Sequence, residues 1–289
     1  MVEQNTRLGI LLMIATVFLL AVQDGLSRHL AANYSVFMVV MIRYWAFAVF
    51  VVVMTARRPG GLARAIRTPQ PGLQIARGVI LAVEICIMVT GFVLIGLAAS
   101  HAVFTSYPLI VAALSGPVLG ERVGWRRWLA IVIGLAGVLV ILEPGGDTMQ
   151  AGALVPLLAA FLFAIYGLLT RYVSRVDPSW VSFFWTGIGG AAVMTLVGVW
   201  FLEPMQPRDW IWMGLLCISG MLAHWLLIRA YEVAEASAVQ PFAYLHLVFG
   251  SAIGITVFGE TLSPNIVTGA AIVVAAGLFT LWRSRPPAG

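Results

Sequence analysis

The sequence contains no lysine: all 17 of its cationic side chains are arginine. It is poor in charge of either sign. Charged residues make up 10% of the 289, and 61% are hydrophobic, whereas a soluble globular chain carries about 25% charged and about 45–50% apolar residues. That ratio excludes a water-soluble domain, and the chain reads as a polytopic membrane protein. Its two cysteines, Cys86 and Cys217, lie inside apolar runs, which excludes a disulfide scaffold and reads as two small buried hydrophobes. No basic run carries interleaved aromatics, so the net charge of +5 points to membrane loops and not to nucleic acid. There is no HExxH, no GxSxG, no Walker loop and no pair of intramembrane aspartates, which argues against an enzyme, a cofactor or direct drive by ATP. The first apolar run lacks a small-residue cleavage pattern and is read as a retained span.

What the sequence does have is ten apolar runs near the length of about 20 residues that crosses a bilayer. They are Leu8–Leu26, Val36–Met54, Leu73–Ile95, Ala98–Leu119, Trp128–Leu142, Gly152–Tyr172, Trp180–Phe201, Trp210–Tyr231, Val239–Phe258 and Asn265–Trp282. The fifth is short, and the boundary between the third and fourth, in "GLAASHA", is barely polar. With the N-terminus in the cytoplasm, the outer side keeps only Arg28 and Arg208, Arg43 lies within the second span, and the other arginines fall inside. This positive-inside asymmetry predicts that both termini are cytoplasmic. Seven of the ten tryptophans stand near span ends, while Trp45, Trp185 and Trp225 are deeper.

The chain is written twice. "GILLMIATVFLLAVQDGLSR" from Gly9 resembles "GALVPLLAAFLFAIYGLLTR" from Gly152, pairing Phe18 with Phe161 and Arg28 with Arg171. "PVLGERVGW" from Pro117 and "TVFGETLSP" from Thr256 repeat a Gly-Glu hinge after an apolar run. Spans one to five therefore resemble spans six to ten. Five is odd, so the second copy enters the membrane from the opposite side. The predicted fold is an all-α membrane protein of ten transmembrane helices, arranged as two inverted five-helix repeats around a central cavity, with halves 1–145 and 146–289. Halves of this kind exchange conformations and so alternate access to a midplane site, as secondary transporters do.

On these motifs the chain resembles the drug/metabolite transporter superfamily, as a ten-span member with two EamA domains. The carriers are "DGLSRHL" (24–30), Arg43, the stretch 106–145 with its Pro-then-Gly-Glu hinge, and 236–264 with its counterpart. The resemblance implies a cavity lined by spans one, three, four, six, eight and nine, with five and ten peripheral. "VEIC" (83–86) leans toward bacterial exporters of amino acids, aromatic ones included. The expected function is thus amino-acid export across a bacterial inner membrane. The alternatives are a vitamin or nucleobase-like carrier, riboflavin for example, and a proton-coupled exporter of organic cations. A cavity within one chain needs no partner beyond a small-molecule substrate and lipid, so a monomer is expected.

Polar residues within spans are costly and face a cavity or a partner. The substrate-binding candidates are Gln23, Arg43, Glu84, Tyr107, Tyr166, Trp185, His224, Trp225, Tyr244 and His246. Arg43 has two readings, an ion pair with Glu84 or Asp24 and capture of a substrate carboxylate. Glu84 and Asp24 are the coupling candidates, and Asp24 with Arg28 also makes a plain i,i+4 pair. His224 and His246 offer ligand contact or proton relay. No third ligand stands at useful sequence spacing from them, so no metal site is expected. His101 and His29, placed near the outer surface, receive no role. An aromatic cavity with one cation suits an apolar zwitterion better than a polyphosphate. Pro108, Pro156 and Pro241 interrupt spans and are read as static kinks or gating hinges.

Overall fold

The computed structural model describes residues 5–120, 124–142, 151–234 and 239–283. Local sequence sets the helix starts. Asn5 caps α1 (Thr6–Ala31), its side-chain oxygen accepting the Leu8 N–H at 3.0 Å. Pro71, which has no N–H to leave unpaired, opens α4 (Pro71–Ile95). Between them lie α2 (Val36–Ala56) and the short α3 (Gly61–Ile66). A single residue, Gly96, separates α4 from α5 (Leu97–Phe104), so the barely polar boundary is a true corner. The fourth span is broken again before α6 (Tyr107–Leu119). Then follow α7 (Trp125–Leu142), α8 (Leu154–Val173), α9 (Ser179–Gly198) and α10 (Asp209–Val233). A 3₁₀ turn, Gln240–Tyr244, leads into α11 (Leu245–Phe258), and α12 (Pro264–Arg283) closes the described chain.

Among the described residues, eight spans are long and apolar enough to cross a bilayer, and the apolar stretches Trp128–Leu142 and Pro264–Thr280 are the shorter fifth and tenth. Many large apolar side chains face outward, as at Leu129, Val132, Ile133 and Leu139 on α7. In water this would be a fault; in lipid it is the solvent-exposed face. Several threonine hydroxyls inside the spans are satisfied locally. Thr16, Thr90, Thr186 and Thr280 each donate to the carbonyl four residues earlier, at 2.7–2.9 Å.

The packing follows the repeat. α1 lies along α10, and its counterpart α8 lies along α4; α2 faces α9, and α7 faces α12 at the periphery. One related pair is unequal. α4 packs extensively along α9, whereas α2 and α10 touch sparsely. The close crossing rests on glycine: a methyl group on Gly78 would fall 3.2 Å from the backbone nitrogen of Gly190. Without a hydrophobic drive between helices in lipid, such backbone proximity is what holds them. Of the two Gly-Glu hinges, only Gly120 of the first is described; Glu121 and the 145/146 division lie outside the described residues.

Candidate transport site

A cavity of about 30 Å³, room for roughly one water, lies where α2 and α10 fail to close. Arg43, Tyr44 and Phe47 of α2 line it, with Leu81 and Ile85 of α4 and Cys217, Gly220, Met221 and His224 of α10. Gly220 stands 142 positions after Gly78. The facing helix differs, however: where α9 brings glycines to Gly78, α2 brings Arg43 and Phe47 to the Gly220 side. Those side chains hold α2 off α10 and create the space. A methyl group on Gly220 would fall 2.5 Å from Gln23 Oε1 and 3.9 Å from Arg43 Nε. Gln23 is 3% exposed, and its Oε1 has no hydrogen-bond partner. The His224 Nδ1 lies 2.8 Å from the Gly220 carbonyl oxygen, which turns the ring toward Phe47, at 5.6 Å between centroids.

The sequence candidates therefore divide. Arg43 and His224 line the cavity, and Gln23 lies buried beside Gly220 at its edge. Glu84 is 4% exposed on α4 but makes no ion pair with Arg43, nor does Asp24; the first reading of Arg43 is corrected. Tyr107 and Tyr166 belong to an aromatic cluster with Phe163 (4.9 and 5.9 Å) on α6 and α8, away from the cavity. Trp185 donates its Nε1–H to the Ala65 carbonyl at 3.0 Å and ties α9 to α3. Trp225 is 47% exposed on the outside of the bundle. Tyr244 packs against Gly277 of α12. The resemblance also led away from α2, which lines the cavity. Tyr44, Phe47 and Cys217 were missed because they read as ordinary span residues; only the i,i+4 spacing of Phe47 from Arg43 marks them.

The prolines divide as well. Pro108 follows the break between α5 and α6, and Pro241 lies in the 3₁₀ turn before α11. Pro156 lies in the first turn of α8, where its missing N–H interrupts nothing, so it is no hinge.

Two polar clasps bracket the cavity. At one end Glu260, from the second Gly-Glu hinge, reaches to α5. Its Oε1 accepts the Leu97 N–H at 2.7 Å and its Oε2 the Ala98 N–H at 2.8 Å, and it pairs with Arg28. A carboxylate at a helix N-terminus satisfies orphan donors and meets the positive end of the helix dipole. The glycine of the hinge, Gly259, has φ 65° and ends α11, so that the chain turns back at once. The expected Asp24–Arg28 pair does not form: Arg28 goes to Glu260. At the other end Arg77, 1% exposed, donates to Thr170 Oγ1 at 2.9 Å and to Gln74, with its guanidinium 5.2 Å from the Tyr166 ring centroid. Asp177 accepts from Thr68 at 2.5 Å and from Gln74 at 2.7 Å. This network joins α4, α8 and α9 at their close crossing.

A third polar group lies in α1, α5 and α11. Asp24 Oδ2 is 3.0 Å from His246 Nε2 and 3.4 Å from His101 Nε2. His101 is 2% exposed, a core residue and not the surface one its position in the sequence suggested. The third ligand-type side chain that sequence spacing did not offer is thus supplied by the fold.

The two halves match one family description twice, over residues 7–143 and 150–282: EamA-like transporter family. The chain belongs to the EamA-like transporter family. It is therefore a multi-pass membrane protein that transports small molecules, not an enzyme. A riboflavin transporter of Vibrio cholerae is 28% identical over 98% of this chain and 96% of its own length. A riboflavin transporter of Rhizobium johnstonii is 30% identical over 79% of this chain and 77% of its own. An S-adenosylmethionine uptake transporter of Rickettsia prowazekii is 24% identical over 92% and 89%. A solved crystal structure of a protein aligns at TM-score 0.64 over 97% of this chain and 99% of that one, at 18% identity, and bears on the fold alone.

Proposed function

We propose that this EamA-like protein carries riboflavin, or a related flat nitrogen heterocycle bearing a polyol, across the bacterial inner membrane by alternating access. The observation that carries the reading is the cavity lined by Arg43, Phe47 and His224, with the Gln23 carboxamide beside its Gly220 wall. An unpartnered carboxamide oxygen and a guanidinium suit the edge of an imide-bearing ring, and the Phe47 and His224 rings suit its face. The names of the relatives point the same way: riboflavin and S-adenosylmethionine both join a nitrogen heterocycle to a hydroxylated chain or sugar. Amino-acid export finds no such support among these relatives and becomes an outcome of the test.

The cavity holds about one water as it stands, so cargo enters only when α2 parts from α10. The unequal α4–α9 and α2–α10 crossings support such a motion, since two like halves exchange roles by swapping which crossing is closed. Halves 1–145 and 146–289 move against each other within a monomer. The arginine distribution supports a topology with both termini, and the Arg77 clasp, on the cytoplasmic side. Glu84, buried on α4 among the cavity-lining residues and without an ion pair among the described residues, is the coupling candidate; Asp24 is engaged by the two histidines.

The test is uptake of labelled riboflavin into liposomes containing the purified protein, with unlabelled riboflavin, S-adenosylmethionine and phenylalanine as competitors, with and without an imposed pH gradient. Saturable riboflavin uptake untouched by phenylalanine supports the proposal. Uptake of phenylalanine in place of riboflavin would sink it and restore the amino-acid reading.

A further inference from the structure

We propose that Asp24, His101 and His246 form a binding site for a divalent transition-metal ion of the zinc class. The inference does not depend on the cargo. Both Nε2 atoms approach one oxygen, Asp24 Oδ2, at 3.0 and 3.4 Å, and all three ligand atoms lie within 4.8 Å of one another. Both Nε2 atoms are buried. Two buried imidazole nitrogens that converge on one carboxylate oxygen stand as ligands around a shared point do. Bonds of 2.0–2.1 Å in a tetrahedron set ligands about 3.3 Å apart, close to both distances found.

The ligand types select the ion. Two imidazoles and one carboxylate suit zinc, cobalt or nickel, whereas calcium and magnesium take oxygen donors. Three protein ligands leave a fourth position for water. The imidazoles are held in place by packing. His101 lies against Phe92 (5.3 Å) and His246 (4.6 Å). A methyl group on Gly250 would fall 2.8 Å from His101 Nε2, so only glycine leaves the ring its place. His246 is the more accessible of the two, with a side chain 22% exposed against 2% for His101. Asp24 and His101 belong to the first repeat and His246 to the second. A bound ion therefore ties the two halves together, close to the Glu260 clasp that joins the same three helices.

The test is titration of the untagged, purified protein with Co²⁺, read by its visible d–d absorption, and with Zn²⁺, read by the thermal unfolding midpoint. The expected result is one Co²⁺ per chain with tetrahedral-type bands, and a midpoint raised by Zn²⁺. H101Q and H246Q should weaken binding by about tenfold or more, and H29Q should leave it unchanged. The H246Q variant, at a partly exposed position, guards against misfolding of H101Q. Absence of stoichiometric Co²⁺ from wild-type protein that elutes as a folded species overturns the proposal. So does Co²⁺ binding that is undiminished in both variants.

Discussion

Gly96 and Glu260 are packed so closely that a methyl group on Gly96 would fall 2.7 Å from the glutamate Oε1. Gly96 also has φ 89°, a region that side chains avoid. The one-residue corner between α4 and α5 and the carboxylate that caps α5 therefore depend on each other.

Gly96→Ala should disrupt this clasp both ways, by backbone strain and by displacing Glu260. Glu260→Gln should cost about 2 kcal/mol through the lost charge-assisted bonds. The double variant should be no worse than the more severe single one, because both remove one interaction. Thermal midpoints in detergent decide this; additive losses would show that the two residues act separately.

Arg43→Gln and His224→Ala should each lower riboflavin uptake about tenfold or more while the amount of protein in the membrane stays unchanged. Trp225→Ala, on the outer face of the same helix as His224, should stay within about twofold of wild type. A strong Trp225 effect would move the site to the other side of α10.

Cys217 lines the cavity and Cys86 is buried in the α2–α4 core. A maleimide should therefore label Cys217 only when α2 parts from α10, and riboflavin should slow the reaction. Labelling of Cys217→Ala measures the background from Cys86. Equal labelling with and without riboflavin would argue that cargo does not occupy this cavity.

Gly78→Val should hold α4 off α9, since its first side-chain carbon already meets the Gly189–Gly190 backbone at 3.2–3.3 Å. Transport should fall severely with insertion intact, because one of the two exchangeable crossings can no longer close. Near-normal uptake would mean that this crossing is not part of the cycle.

The sequence by itself determined the bilayer as solvent, the ten spans and the inverted doubling. These follow from composition, run length and internal similarity, each of which is local or additive along the chain. It also named Gln23, Arg43 and His224, because polar groups in apolar runs stand out. What only the tertiary structure decided is which polar groups meet. Arg28 bonds to Glu260, 232 positions away, and not to its helical neighbour Asp24. Asp24 turns instead to His101 and His246, on two other helices. The tryptophans at 185 and 225 look alike in sequence, yet one is pinned to α3 and the other faces outward. Helical periodicity gives the face a residue lies on, but the rotation of each helix about its axis is fixed by where small residues let backbones approach. That rotation put Gly78 against glycine, left Gly220 facing Arg43 and Phe47, and so placed the cavity between α2 and α10.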